Sequence, residues 1–299
     1  MKVSVVIPAY NNEDYVAYTL QKLNEQECSF DDWEILLVDD SEDDRMRMFE
    51  NKGIKNLRVI EKPHSGRADS RNAGILASEA EVIVFMDSDM IVDKNFVERH
   101  YYAHINTDID VVLGKVNHIP SRCKDEAMEL IKNGEPEDLR KFVENEQYVN
   151  LATSVFKNRD VADKVGWICC LFSNSSVKRS VFERTGLFDI AFVGWGLEDI
   201  ELGYRFHKSG LKYGYFEDIE NYHLDHVANR DLMLSEMARN LKVFSVKHTD
   251  KIVKSYMSFV AGFKNLKQLY EDAGGSIGAF AEGEKVFFMP LNYSNTKTR

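Results

Sequence analysis

Five short apolar runs, Val3 to Ile7, Ile35 to Val38, Leu57 to Ile60, Val82 to Phe85 and Val111 to Leu113, punctuate the first part of the chain. Their spacing of roughly 25 to 30 residues is what parallel strands joined by helical crossovers require. Between the first two runs Val16, Leu20 and Leu23 fall at i, i+4 and i+7, and before the fourth Ala68, Asn72, Ile75 and Leu76 share one helical face. The pattern predicts a doubly wound α/β sheet whose ligands sit above the carboxyl ends of its strands.

Polarity rises from Lys115 to Lys164, in a helical stretch broken by Gly134 and Pro136. We read residues 115–165 as a helical insertion between a first half, about 1–114, and a second half, about 166–228. Together they form one domain over 1–228. Residues 229–299 read as a mainly helical extension, interrupted near His248 to Asp250 and ended by Gly274-Gly275. Its alternation of Lys with Val, Phe, Ile and Met leaves open packing on the domain, a homodimer through these helices, or peripheral membrane contact.

A formal charge of -11 gives no global attraction for nucleic acid or anionic membrane, so nucleic acid is not expected as a partner. The first apolar run is too short for a signal peptide, and no run approaches the length of a membrane span. Cys28, Cys123, Cys169 and Cys170 lack CxxC spacing, which disfavours zinc and a disulfide framework. A cytoplasmic protein with reduced thiols is expected.

The strand ends carry the chemistry. After the first comes "PAYNNEDY", without the glycines of a dinucleotide fingerprint, which disfavours NAD and FAD. After the second come Asp39 and Asp40, placed to accept the imide N–H of a base, to bond a ribose hydroxyl, or to cap a turn. After the fourth, "FMDSDM" sets Asp87 and Asp89 around Ser88. Such a pair is costly unless exposed, hydrogen-bonded or shared with a cation. "HSGRADSRNAG" adds Arg67 and Arg71, within reach of those carboxylates or of a diphosphate.

Taken in order, "VSVVIPAYNNEDYVAYTL", "ILLVDDS", "GRADSRNAGI" and "VFMDSDM" resemble the family 2 glycosyltransferases of the GT-A fold, and the resemblance runs from Val3 to about His226. It implies a Rossmann-like mixed sheet flanked by helices, a UDP-sugar donor and a divalent cation, Mn2+ or Mg2+. By the same resemblance Pro8, Ala9, Tyr10, Asn11, Asp40, Arg71, Asp87, Ser88, Trp195 and Gly196 bind the nucleotide-sugar, with Asp40 reading the base. Asp89 binds the metal directly. Asp87 lies near ribose, metal or both.

Further on, "FVGWGLEDIELGYRFHKSG" is similar to the acceptor-side motif of this family, of the beta-1,4-galactosyltransferases and of the polypeptide N-acetylgalactosaminyltransferases. That likeness gives Asp199 the role of general base beside Glu198, with inversion at the anomeric carbon. Otherwise Glu198 and Asp199 read as acidic residues complementing a helix dipole, and Trp195 as a core aromatic or a platform for a sugar ring. "YHLDH" places His223 and His226 after an expected strand. A histidine there completes the metal shell in related proteins, and His223 is favoured.

The chemistry agrees with these roles. A displacement at an anomeric carbon needs a carboxylate to take the acceptor's proton and stabilisation of the departing diphosphate. The expectation is a metal-dependent inverting hexosyltransferase acting on a carbohydrate, lipid-linked or small-molecule hydroxyl. A nucleotidyltransferase would start with a basic glycine-rich loop, absent from "IPAYNN", and a non-catalytic carbohydrate- or partner-binding module would not need these acidic residues.

Overall fold

The computed structural model describes residues 1–144, 147–227, 229–276, 278–280 and 285–288. Among them, eight strands form one sheet: β1 (Val3–Ala9), β2 (Trp33–Asp39), β3 (Leu57–Glu61), β4 (Val82–Met86), β5 (Met90–Val92), β6 (Val111–Ile119), β7 (Asn174–Lys178) and β8 (Tyr213–Leu224). The order across the sheet is β3-β2-β1-β4-β7-β6-β8-β5. Strands β1 to β4 pair in parallel, β7 runs antiparallel to both β4 and β6, and β5 is antiparallel to β8.

β1 and β4 read as unbroken apolar runs because both faces are covered, as parallel strands require. Helices α1 (Glu13–Asn24), α2 (Arg67–Ala77) and α3 (Phe96–Ile105) pack on this half. Val16, Leu20 and Leu23 of α1 are buried, as their spacing predicts. In α2, Ala68, Asn72 and Ile75 are buried, but Leu76 is 70% exposed, one residue beyond the width of the apolar stripe.

β6 continues to Ile119, so residues 115–119, at the start of the stretch read as the insertion, lie in the sheet. Their polarity hid the strand: Asn117 donates to Glu220 and to the Asn221 carbonyl, so polar side chains are satisfied across the ladder with β8. The pairing slips at Gly114, where a Cβ would stand 2.4 Å from the Asn174 side chain.

After β6 come α4 (Lys124–Asn133), α5 (Gln147–Phe156) and α6 (Arg159–Val165); α7 (Val181–Thr185) and α8 (Glu198–Lys208) follow β7. The extension forms α9 (Arg230–Lys247), α10 (Lys251–Val260) and α11 (Leu266–Asp272), with the break at 248–250 as expected and a second at Gly262 (φ 77°). It packs on the main core. The buried Trp167 ring lies 5.0 Å from Tyr204, 6.4 Å from Phe244 and 5.0 Å from Tyr256. Truncating such a side chain costs about 3–5 kcal/mol.

Residues 145–146 of the insertion, the boundary at 228, and 277, 281–284 and 289–299 of the extension lie outside the described residues. No helix among the described residues is long and apolar enough to cross a membrane. The four cysteines are free thiols.

Candidate active site

The chain leaves β1 for β2 on one side and later inserts β4 on the other, so the carboxyl ends of β1 and β4 border the crevice where the strand order reverses. Pro8 and Ala9 close β1, and Tyr10 and Asn11 lead out of it. Asn11 has φ 50°, a left-handed conformation that Asn tolerates better than most residues, and its N–H donates to Ser41 Oγ. Tyr10 is 46% exposed and stacks on His64, ring centroids 4.5 Å apart. Beside this pair lies an open cleft of about 470 Å³, lined by Ser41, Glu61, Lys62, Pro63 and His64 among others.

Asp40 is buried under that cleft with its oxygens in use. Oδ1 accepts from Lys62 Nζ at 2.6 Å and from the Ser65 N–H, and Oδ2 from the Gly66 N–H. Burial opposes its charge, but Lys62 and the two amides hold its pKa below the usual carboxylate value. Asp40 therefore anchors the 62–66 loop that walls the cleft. Ser88 is likewise turned inward, its Oγ accepting from Asn12 and its carbonyl from Thr19.

Arg71 sits on the second turn of α2 and is 1% exposed. Its Nη1 donates to Asp199 Oδ1 at 2.7 Å and to Glu198 Oε1 at 3.1 Å; its Nη2 donates to Asp87 Oδ1 at 3.0 Å. Of the two partners the sequence left open for Arg71, carboxylates and a diphosphate, the structure supplies the carboxylates. Three acidic groups from β4 and α8 thus converge on one cation, which leaves the cluster with excess negative charge. Loss of solvent raises the pKa of Asp199 to about 7, opposed by Arg71 and helped to a lesser extent by Glu198. Its other oxygen accepts from the Phe172 N–H at 3.1 Å.

Asp89 lies beyond Ser88, facing the end of β8. His223 is the penultimate residue of β8 rather than following the strand, and its Nε2 stands 3.1 Å from Asp89 Oδ2, with His226 Nε2 at 4.0 Å. Two residues missed from the sequence complete the group. Asp225 Oδ1 lies 2.7 Å from His223 Nδ1 and 2.9 Å from His118 Nδ1. The two Nδ1 atoms also stand 3.2 Å apart, so both rings and Asp225 meet at one point; with His223 protonated on Nδ1 toward Asp225, the Nε2 lone pair of the neutral ring faces Asp89. Asp89 Oδ1 is buried without a hydrogen-bond partner among the described residues.

Among the described residues, His118, His223 and Asp225 form a group whose ligand atoms lie within 4.8 Å of one another; with Asp89 Oδ2 3.1 Å from His223 and Asp89 Oδ1 buried and unpaired, these oxygen and imidazole atoms fit a divalent cation. A proton on His223 meets the same electrostatic need. Burial disfavours it, yet Asp89 and Asp225 on either side raise the pKa well above the ordinary histidine range. His118 was hidden in the polar end of β6. The one sequence signal for Asp225 was its place between two histidines in "HLDH".

Trp195 and Gly196 lie in the turn leading into α8. Trp195 is half-buried against the main core, and Gly194, Gly196 and Leu197 all have positive φ, 74°, 88° and 75°. Glu198 and Asp199 are the first two residues of α8, so this turn sets where both carboxylates point.

Comparison with known proteins follows this geometry. A model of glycosyl transferase family 2 matches residues 4–186, and one described as the N-terminal domain of galactosyltransferase matches 169–227. An uncharacterized glycosyltransferase, YfnE of Bacillus subtilis, is 30% identical over 77% of this chain and 66% of its own length. Validoxylamine A glucosyltransferase of Streptomyces hygroscopicus subsp. jinggangensis is 28% identical over 82% of this chain and 61% of its own. The chain thus spans about two thirds or less of these relatives.

Among solved structures, the mannosyltransferase PcManGT from Pyrobaculum calidifontis, in complex with GDP-Man and Mn2+, superposes with a TM-score of 0.59 at 15% identity, covering 93% of this chain and 77% of that one. TarS 1-349 of S. aureus in complex with UDP-GlcNAc gives 0.58 at 19%, covering 91% and 79%. These likenesses establish the GT-A fold.

Proposed function

Since the chain belongs to glycosyl transferase family 2, we propose that it is a metal-dependent, inverting hexosyltransferase that moves a sugar from a UDP donor to an acceptor hydroxyl. The observation that carries this reading is Asp199. It is a partly exposed carboxylate with a pKa of about 7, fixed by Arg71 to the same point as the donor-side Asp87. A base poised near neutral pH takes a proton most effectively.

In the proposed reaction the acceptor oxygen attacks the anomeric carbon as Asp199 takes its proton, and the bond from that carbon to the diphosphate oxygen breaks on the opposite face. Arg71 and the Phe172 N–H occupy one lone-pair site on each Asp199 oxygen and hold the carboxylate's orientation while leaving acceptor capacity free. Asp89, His223 and His226 would hold Mn2+ or Mg2+, which supplies charge neutralisation for the leaving diphosphate. Tyr10, with His64 behind it, offers a stacking face for the base above the loop that Asp40 anchors. Trp195 and Gly196 border the sugar on the acceptor side. A UDP donor is favoured over GDP by the sequence resemblance; the acceptor is a carbohydrate or another hydroxyl compound.

Thermal stabilisation by a panel of UDP- and GDP-sugars, with and without Mn2+, tests the reading, because a bound donor stabilises by mass action. A metal-dependent shift with UDP-hexoses followed by UDP release is expected. No shift with any nucleotide-sugar would sink it.

A further inference from the structure

Helix α9 lies beyond both segments matched by family models, which end at residues 186 and 227. Nevertheless one face of it is bonded to the turn that delivers Glu198 and Asp199. Asn240 is fully buried, and its Nδ2 donates to the carbonyls of Val193 (3.2 Å), Trp195 (3.3 Å) and Gly196 (2.8 Å). One turn earlier, Glu236 Oε2 accepts from the Trp195 N–H at 2.9 Å, and Arg239 donates to the Val193 carbonyl. At the far end of the helix, Lys247 pairs with Asp189.

These bonds act on a turn that has reason to relax. Gly194, Gly196 and Leu197 all occupy the left-handed region, which is costly for leucine, and a costly backbone persists only when its surroundings over-determine it. The Glu236 carboxylate also fills the space beside Gly194, 2.3 Å from where a Cβ would stand. The carbonyls that point into α9 are those of a turn with no ladder of its own; a buried carbonyl without a donor is itself unfavourable.

We infer that Asn240 and Glu236 are positioning residues for the reaction, holding the 193–197 turn in its left-handed shape so that Asp199 meets the acceptor while Arg71 ties it to the donor side. The inference rests on the reading of Asp199 as base. It assigns the C-terminal extension a part in turnover and none in holding Mn2+–UDP, since α9 makes no bond described above to Asp89, His223 or His226.

The test uses the full chain with three variants. Asn240→Asp keeps the size but turns a carboxylate oxygen onto three carbonyls, Glu236→Ala removes the acceptor for Trp195 N–H, and Glu236→Gln retains one. Amide hydrogen exchange over 193–199, Mn2+–UDP affinity by calorimetry, and UDP release from UDP-glucose, UDP-galactose and UDP-GlcNAc are compared. Exchange in N240D and E236A is expected to rise about tenfold or more and UDP release to fall about 10- to 100-fold, with the Mn2+–UDP Kd within about threefold of wild type. E236Q should behave as wild type in all three.

Exchange unchanged by both disruptive variants, or faster exchange with wild-type UDP release, would overturn the inference. Should N240D fail to fold, the E236A and E236Q pair decides. Absence of UDP release from every donor in the wild type would count against the function proposed above, and exchange alone would then decide whether α9 holds the turn.

Discussion

Arg71 and Asp199 meet at 2.7 Å, and through the other end of the same guanidinium Arg71 reaches Asp87 at 3.0 Å. One planar fork thus joins the end of β4 to the start of α8. Such geometry is specific to arginine, because a lysine ammonium is a point charge on a flexible stem. Replacing it tests whether the fork matters or only its charge.

Arg71→Lys is expected to fold, since one cation still sits among the three carboxylates, but to lose about 100-fold or more in turnover as the link from Asp87 to Asp199 is broken. Arg71→Met leaves three carboxylates without their partner and should destabilise the fold by about 3–5 kcal/mol. Urea melts together with UDP release distinguish the two effects. An R71K enzyme with wild-type turnover would show that the fork is not used.

The proposed role of Asp199 as base, with its pKa raised to about 7, predicts a pH profile: kcat/KM should rise about tenfold per unit below pH 7 and level off above it. The fold is affected in the opposite direction. With the folded pKa above the unfolded one, Asp199 contributes stability at low pH that is lost as pH rises toward 7. In Asp199→Asn the acid limb should disappear along with most of the activity; an unchanged limb would assign it to another group.

The cation should depend on Asp225 although Asp225 does not face Asp89. Asp225 accepts the Nδ1–H of His223 and so directs Nε2 at Asp89. Asp225→Ala is expected to weaken Mn2+ binding about 10- to 100-fold, the range for loss of a partner that orients a metal-bound histidine. Asp225→Asn, which still accepts, should fall between that and wild type. Asp89→Ala should abolish binding. Electron paramagnetic resonance titration with Mn2+ measures all three without turnover.

Acid should unfold the protein from behind the sheet. His100 and His104 of α3 are buried and share Ser176 Oγ of β7, each at 2.9 Å. Desolvation, followed by the neighbouring His104, lowers His100 to about 3, and desolvation lowers His104 to about 4. Both remain neutral when folded but protonate near pH 6.5 when unfolded. Their contribution to stability is therefore complete above pH 6.5 and is lost as pH falls toward the folded values. At pH 5 the loss is on the order of 4 kcal/mol for the two together. Denaturant melts from pH 8 to 5 read it directly; a flat profile in wild type would contradict it.

Much of this arrangement was legible in the sequence because β1, β2, β4 and the start of β6 are buried on both faces and read as apolar runs. β3, at the edge of the sheet and only partly buried, still shows a short apolar run. What escaped had a physical reason. β5 is too short to show a pattern, and the polar end of β6 is satisfied sideways by β8. His118 and Asp225 become partners only through that pairing, whose long-range register no local spacing reveals. The inward use of Asp40 and Ser88 was equally invisible, because it depends on a loop returning from residues 62–66 and on Asn12 and Thr19.

The brace from α9 bears on how the molecule comes into being. A ribosome that has synthesised the chain through residue 227 has already made every carboxylate and histidine of the site. The amide that gathers the carbonyls of Val193, Trp195 and Gly196 has yet to be made. Nascent chains at that stage can order the donor half while Asp199 remains unaimed. On that inference, the proposed transfer has to wait until residue 240 has been made and α9 has closed on the turn.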